Sequence, residues 1–465
     1  MKRTRNQQSS LPKYLRSRYG TRWALWDLVV GVLAFLGGFW LSPYTEELPG
    51  WSYFIIVGGF YGLLLMIASR LVGVHMPGKG HRQSIYETIS SVILAVIAAY
   101  LVFGLVINFT LVHVYGRYIV VGTMSFSLLG LVLPRLLVGK FLKIRPVNLV
   151  IYGAGRTGIK FYERIAKHEH FRIAGVLDDD TAKHGSMLGS HEVIGSIRSC
   201  PSERLKQMKI DVVVICVSGE LKKENATALL QLPLDGIEVL TNGAFIEEYF
   251  YETSLDYTNP HWFASLPGLP GNAPIFFSKR VLDILVSGVL LLISLPFWLL
   301  IALAIKIDSS GPVFFCQKRV GLHGAIFKIL KFRTMRENAE ENGVQWAVEG
   351  DSRVTRTGKF LRRTRMDELP QMLNVLRGQM SFVGPRPEQP QFVENLSHEI
   401  PFYKHRHLTP PGITGWAQIR YQYASSNEDT RRKLQFDLYY IRHLSIAFDI
   451  RIILQTIPLL MGGSR

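Results

Sequence analysis

The sequence predicts a membrane α-helical bundle, then a Rossmann-like α/β domain, then a second α/β domain tied to an apolar helix that enters and leaves the membrane by one face. Three observations predict it. Residues 23–42, 51–69, 85–109 and 118–138 are each apolar for about the length that crosses a bilayer, roughly 20 residues. A strand-like run, Val147–Tyr152, leads directly into Gly153-Ala-Gly-Arg-Thr-Gly158 and a helical pattern. A further apolar run, Val281–Ile305, is flanked by Lys279-Arg280 and Lys306 and interrupted by Ser294-Leu295-Pro296.

The expected division follows from these runs: a four-helix transmembrane domain with a basic N-terminus at 1–145, a Rossmann-like domain at 146–249, and a linker at 250–278 rich in Pro, Gly, Asn and aromatics. A re-entrant helix at 279–307 and a C-terminal domain at 308–465 complete it. At 465 residues the chain has room for about three domains. The net charge of +17 suits nucleic acid, an anionic membrane surface or phosphate-rich substrates, and the long apolar runs favour the last two. No nucleic-acid partner is expected. Cys200, Cys216 and Cys316 are scattered without ligand spacing, and read as reduced structural thiols.

Each apolar run has its own flanks. Lys2, Arg3, Arg5, Lys13, Arg16, Arg18 and Arg22 precede the first, Arg70, Lys79 and Arg82 follow the second, and Lys140, Lys143 and Arg145 follow the fourth. The loop after the first carries Glu46 and Glu47, so the positive-inside rule places both the N-terminus and everything beyond residue 140 in the cytoplasm. The first run is too long for a signal peptide and reads as a retained anchor. Trp23, Trp26, Trp51 and Tyr118 sit where interfacial aromatics belong, and Asp27 reads as an interfacial carboxylate.

In the α/β part, further strands are expected at Phe171–Leu177, Asp211–Val217 and Ile237–Leu240. Gly153, Gly155 and Gly158 with Asp178 at the end of the second strand fit a nucleotide or dinucleotide site; glycines kept only for a tight turn fit equally. No Tyr-x-x-x-Lys dyad follows, which disfavours a redox enzyme. For Val281–Ile305, hydropathy alone favours a fifth span with a proline kink. The central proline and the basic residues at both ends suit a bent helix, with Ser294 as a candidate partner for the carbonyls that Pro296 leaves free.

The chemistry concentrates at residues 365–387. Pro370 should start a short helix that stops near Gly378, leaving Asp367 and Glu368 just outside its N-terminus, where the dipole lowers carboxylate pKa. Arg386 stands between Pro385 and Pro387, a cation on a stiff backbone. Such an acid pair is ordinarily a helix cap, and such a turn ordinarily only a turn. The flanking motifs decide otherwise: Gly311–Gly321, Phe327–Met335, Asp351–Gly358 and Pro410–Gln418 place basic residues beside glycines and strand-like segments, as loops that bind a diphosphate do. A solvated basic surface accounts for Arg362, Arg363 and Arg365. Asp449–Leu460 reads as an interfacial amphipathic helix or a core helix.

With KFRTM at 331–335, DELPQ at 367–371, GPRP at 384–387, PGITGWAQ at 411–418 and the interrupted helix, residues 275–465 resemble the bacterial sugar transferases, the monotopic phosphoglycosyl transferases. The preceding spans and Rossmann-like domain resemble the large subgroup typified by undecaprenyl-phosphate glucose or galactose phosphotransferases. The resemblance implies an α/β monotopic catalytic domain with a re-entrant membrane helix, in a multi-pass protein of the bacterial inner membrane whose catalytic domain is cytoplasmic. It implies Asp367 as nucleophile on a UDP-hexose, an acyl-phosphate sugar intermediate, release of UMP, and undecaprenyl phosphate as acceptor. Glu368, with Asp367, would hold Mg²⁺; Arg386 would clamp phosphate, with Lys331 and Arg333 as further phosphate contacts. Surfaces for a homodimer are available. Arg365-Met366 departs from the small polar or aliphatic residues many relatives carry, with no chemical consequence expected, and Ser294-Leu295-Pro296 separates Ser from Pro by one residue, where some small members place them together. A different class remains open: a membrane-bound nucleotide sensor or scaffold of polysaccharide assembly with an inactive transferase domain. The sequence leaves the hexose open.

Overall fold

The computed structural model describes residues 13–41, 51–72, 85–110, 117–141, 146–217, 219–256, 273–336, 351, 353–421 and 426–461. Glu46, Glu47, Lys79, Arg82, Lys143, Arg145 and most of the expected linker lie outside them. The chain divides into two compact units, 1–70 with 74–259, and 71–73 with 260–465.

The first unit opens with helices α1 (Lys13–Trp40), α2 (Trp51–Val72), α3 (Ile85–Thr110) and α4 (Arg117–Phe141). They coincide with the expected apolar runs. Stretches 22–40, 55–72 and 118–137 are long and apolar enough to cross a membrane, as is 274–308 in the second unit; 91–106 within α3 is a shorter apolar stretch. The interior holds polar pairs. Asp27 is buried, and its Oδ1 accepts from Arg135 Nη2 at 2.6 Å, while the Arg135 guanidinium also lies 4.7 Å from the Trp23 ring centroid. The interfacial reading of Asp27 is therefore corrected: a carboxylate between helices needs a cation, and the cation comes from α4, far along the chain. Trp26 Nε1 donates to Gly130 O at 3.0 Å, so this ring too serves a contact between helices.

The α/β part holds a parallel sheet of order β2-β1-β5-β6, formed by β1 (Val147–Tyr152), β2 (Phe171–Leu177), β5 (Val212–Ile215) and β6 (Glu238–Thr241). A short hairpin, β3 (Met187–Leu188) with β4 (His191–Glu192), lies between β2 and β5. The strands match the expected runs because both sheet faces are covered: Leu149 and Ile151 face one apolar cluster, Val150 and Tyr152 the other. Helix α5 (Arg156–Ile165) follows the glycine loop, α6 (Ser202–Gln207) and α7 (Lys223–Gln231) flank β5, and α8 (Asn242–Phe250) follows β6. The fold continues past residue 249, since buried Glu252 pairs with Arg164. Cys200 and Cys216 are buried, while Cys316 of the second unit is exposed.

The second unit begins with one long helix, α9 (Ala273–Asp308), which carries Pro296 inside it. Ser294 Oγ donates to Leu291 O at 3.2 Å and accepts from Trp298 Nε1 at 3.2 Å. The middle of α9 is bare: Leu292 is 73% and Leu299 78% exposed. Both its ends are held by the same α/β unit. Near the start, Lys279 and Asp283 are buried against it; at the end, Asp308 Oδ2 accepts from Thr357 N at 2.7 Å.

That unit comprises the antiparallel pair β7 (Phe314–Val320) and β8 (Ile326–Phe332), helix α10 (Arg356–Thr364), a 3₁₀ turn at Met366–Glu368 and α11 (Gln371–Leu376). Next come β9 (Ser381–Val383), α12 (Pro390–Glu399), a 3₁₀ turn at Tyr403–Leu408 and β10 (Gly412–Thr414), which pairs in parallel with β9. Helices α13 (Trp416–Arg420), α14 (Asn427–Arg442) and α15 (Ile446–Met461) follow. Asp449 and Ile452 of α15 are almost wholly buried, so that face of the helix belongs to the core.

Candidate active site

The dyad sits on a bend between two helices. α10 ends at Arg365, whose φ of +57° is left-handed, a conformation that costs a non-glycine residue about 1 kcal/mol. The chain then closes one 3₁₀ turn through Asp367 and Glu368 before α11. The expected start at Pro370 is thus shifted: Pro370 caps α11 in helical geometry, and the acids are part of the preceding turn rather than free of it. The C-terminal end lies where expected, at Gly378 with φ +80°.

Asp367 and Glu368 are 8% and 7% exposed, and their surroundings differ. Glu368 Oε1 accepts from Arg386 Nη2 at 2.8 Å, with Lys331 Nζ and Arg365 Nη1 each 3.7 Å away. Burial works against its charge, but Arg386, Lys331 and Arg365 outweigh burial and bring its carboxyl down to about 2. Asp367 has a buried oxygen, Oδ1, with no hydrogen-bond partner. Burial and the adjacent Glu368 charge push its carboxyl above the ordinary range, partly offset by Lys331, Arg386 and Arg362. The expected lowering by a helix dipole is not the cause at either acid: Glu368 is lowered by its three side-chain cations, and Asp367 is raised because desolvation wins. Lys331 in turn is pulled down by burial, with Glu368 acting the other way.

Each cation is held from behind. Lys331 lies on β8, and Asn374 of α11 pins that strand: its Nδ2 donates to Lys328 O at 2.8 Å and its Oδ1 accepts from Leu330 N at 3.0 Å. Arg386 follows a backbone crossing with no room for side chains, since a Cβ on Gly384 would lie 2.3 Å from Pro410 O and one on Gly412 2.1 Å from Gly384 N. Its own carbonyl accepts from Arg406 Nη2 at 3.0 Å, and Arg406 is paired with buried Asp437 at 2.9 Å. The motifs GPRP and PGITGWAQ are therefore two sides of one junction.

Arg333 takes a different place: its Nη2 donates to Ser309 O and Ser309 Oγ at 2.8 and 2.9 Å, bracing the end of α9. Arg362 and Arg365, read as a solvated basic surface, also act on the acids. Arg362 Nε donates to Thr334 Oγ1 at 2.9 Å, and the Arg365 guanidinium pairs with Glu368. The departure at Arg365 thus has a consequence, since both its backbone and its charge build the turn. Sequence reasoning also missed Asn374 and Arg406; the one available signal was an asparagine inside an apolar helical run, where its side chain disfavours helix.

For a metal, the described residues hold no group of three or more His, Cys, Asp or Glu side chains. The acid pair still fits a hard divalent cation whose other ligands are substrate phosphate and water. The unpartnered Oδ1 of Asp367 is the natural donor, while Glu368 Oε1 is already shared among three side-chain cations.

The glycine loop forms the second candidate site. Gly153 has φ +114°, and a Cβ on Gly158 would come within 1.9 Å of Gly153 O. Asp178 is turned inward on this loop: Oδ2 accepts from Ala154 N at 2.7 Å and from Lys183 Nζ at 3.2 Å, and Oδ1 from Asp180 N at 2.9 Å. Burial opposes its charge, yet these bonds hold the carboxyl below the ordinary range.

Apolar helices, and an α/β unit that carries a bare helix fastened at both ends and a buried acid pair beside three cations, are the features of a membrane-associated protein. Comparison with known proteins makes that class specific. Residues 275–463 match the family model described as bacterial sugar transferase. A UDP-N-acetylgalactosamine-undecaprenyl-phosphate N-acetylgalactosaminephosphotransferase of Aeromonas hydrophila is 46% identical over 210 residues, 45% of this chain and 49% of that protein. An undecaprenyl-phosphate glucose phosphotransferase of Komagataeibacter xylinus is 35% identical over 320 residues, 67% of this chain and 58% of its own. A UDP-glucose:undecaprenyl-phosphate glucose-1-phosphate transferase of Caulobacter vibrioides is 45% identical over 185 residues, 39% of this chain and 69% of its own. The chain belongs to the bacterial sugar transferase family. It spans about half the length of the first relatives it matches.

Proposed function

We propose that this protein transfers a hexose 1-phosphate from a UDP-hexose to undecaprenyl phosphate, releasing UMP, through a covalent sugar phosphate on Asp367. One observation carries the reading: a buried carboxylate oxygen without a partner stands beside an acid whose cations are already assembled. A carboxylate stripped of hydrogen bonds is a better nucleophile than a solvated one, and a cation-rich wall favours the approach of a diphosphate.

In the first half-reaction an Asp367 oxygen attacks the β-phosphorus, the bond from that phosphorus to the UMP oxygen breaks, and UMP leaves with the electron pair. In the second, an oxygen of undecaprenyl phosphate attacks the same phosphorus and returns Asp367 to its carboxylate. Arg386 and Lys331 neutralise the non-bridging oxygens as charge shifts to the leaving group. Glu368 keeps those cations at a fixed spacing, its low pKa leaving it charged throughout. Mg²⁺, when bound, supplies further neutralisation of the diphosphate and of departing UMP. Asp367 and the remaining capacity of Glu368 would hold it.

A helix whose two ends fasten to one compact unit, with bare leucines between, supports a re-entrant seat for α9 in the inner membrane. Loop charges support a cytoplasmic catalytic unit. The donor is UDP-glucose or UDP-galactose, and the product starts a polysaccharide repeat unit. The test uses purified protein in nanodiscs with Mg²⁺, undecaprenyl phosphate and a panel of UDP-glucose, UDP-galactose and UDP-N-acetylgalactosamine. UMP release from a hexose donor is expected, together with a protein-bound sugar phosphate that hydroxylamine removes when lipid is withheld. No UMP from any donor would overturn the reading.

A further inference from the structure

The first turns of α9 were read as a membrane flank, yet they reach both segments that carry the site. Lys279 Nζ is buried and donates to Val383 O at 2.7 Å, Asp449 Oδ2 at 2.8 Å and Tyr440 Oη at 3.0 Å. The Tyr440 hydroxyl donates in turn to Asp449 Oδ1 at 2.7 Å. One helical turn on, Asp283 Oδ1 accepts from Ser381 Oγ at 2.9 Å and Phe382 N at 2.8 Å. Every residue of β9 is thus gripped by α9, and Val383 lies three positions before Arg386. Between them, Arg280 donates to the carbonyls of Val375 and Leu376, at the end of the helix that begins just after the dyad.

A buried ammonium with three partners is an expensive way to fasten a helix; apolar packing does it at less electrostatic penalty. What the polar arrangement adds is direction: each donor and acceptor fixes one backbone atom to within a hydrogen bond's tolerance. We propose that Lys279, Asp449 and Asp283 are positioning residues that tie the seat of the membrane helix to the placement of the Arg386 phosphate clamp. The proposal rests on the transferase reading for its kinetic consequence and not for its structural one.

The full-length protein in nanodiscs of phosphatidylethanolamine and phosphatidylglycerol tests both. Three variants are compared with wild type: the double variant Lys279→Met with Asp449→Leu, which replaces the buried pair with apolar side chains; Asp283→Leu; and Asp283→Asn, which keeps an acceptor. The double variant should retain a thermal midpoint close to wild type, while its kcat/KM for UMP release falls by about 10- to 100-fold with KM for the UDP-hexose raised. Asp283→Leu should lose activity similarly, and Asp283→Asn should restore it to within about threefold. Amide hydrogen exchange across 378–388 should quicken in the double variant and in Asp283→Leu, whatever the enzyme turns over. Wild-type kinetics in the double variant, or unchanged exchange in both, overturns the proposal. A wild-type protein that releases no UMP overturns the functional reading instead, and the exchange result still decides this one.

Discussion

Asp178 follows strand β2 and bonds to the glycine loop, Asp367 lies in the 3₁₀ turn before Pro370, and each sequence context advertises a ligand. Their surroundings point in opposite directions. Asp178 spends its acceptors on Ala154 N, Asp180 N and Lys183, and its carboxyl is held low. Asp367 keeps an oxygen buried and unpartnered, and its carboxyl is pushed up. A satisfied acid stabilises its loop, whereas an unsatisfied buried one carries a desolvation penalty and keeps its acceptor free for a ligand. The difference teaches that an acid can spend its acceptors on its own loop or keep one in reserve, and that packing rather than the motif decides which.

The largest expected effect breaks the comparison most directly. Asp367→Asn keeps shape and removes the nucleophilic charge, and UMP release should fall by about 10³-fold or more, with the protein-bound sugar phosphate lost. Retained turnover in that variant would remove Asp367 from the chemistry. Next, Arg386→Met removes the cation 2.8 Å from Glu368, and activity should drop by about 10²- to 10³-fold. Since Arg386 is one of the charges holding Asp367 down, the same change should move the acid limb of the UMP-release profile to higher pH, because Asp367 must lose its proton to attack.

Arg365→Ala should cost activity less, about 3- to 10-fold, since its guanidinium is half exposed and 3.7 Å from Glu368. On the other side of the comparison, Asp178→Asn should lower the thermal midpoint through the lost bond geometry at Ala154 while leaving UMP release within about twofold. Lost UDP-hexose turnover in that variant would make the glycine loop part of the reaction.

The smallest effect is a pH dependence of stability. Burial, helped by Arg406, lowers His407 from 6.5 to about 4. The folded state therefore holds this ring neutral while the unfolded chain protonates it, so stability is lost as pH falls from about 6.5 towards about 4 and is unaffected above that window. Thermal unfolding at pH 7 and pH 5 should show a smaller loss for His407→Gln than for wild type.

Much of this was legible in the chain itself. Apolar length located the helices, and two-sided burial made the strands of the parallel sheet readable to within two residues, because a strand covered on both faces has no polar alternation to confuse it. The acids and Arg386 stood out through prolines that restrict the backbone on either side. What was not legible came from distance. Arg135 meets Asp27, and Asn374 meets β8, across separations that no local pattern encodes. Arg362 and Arg365 looked like a solvated basic stripe because helical periodicity gives no sign of which face the next turn will fold over.

The sequence by itself determined where apolar segments end, which glycines and prolines constrain the backbone, and which residues carry charge into the 365–387 stretch; these are properties of single residues and near neighbours. Tertiary structure decided which charges meet. It gave Glu368 its cations and left Asp367 with none bonded, sent Arg333 to Ser309, closed the loop over Asp178, and fastened the start of the apolar helix to the strand before Arg386. The physical reason is that desolvation and ion pairing depend on what is packed within a few ångströms, and packing is settled only when distant segments come together.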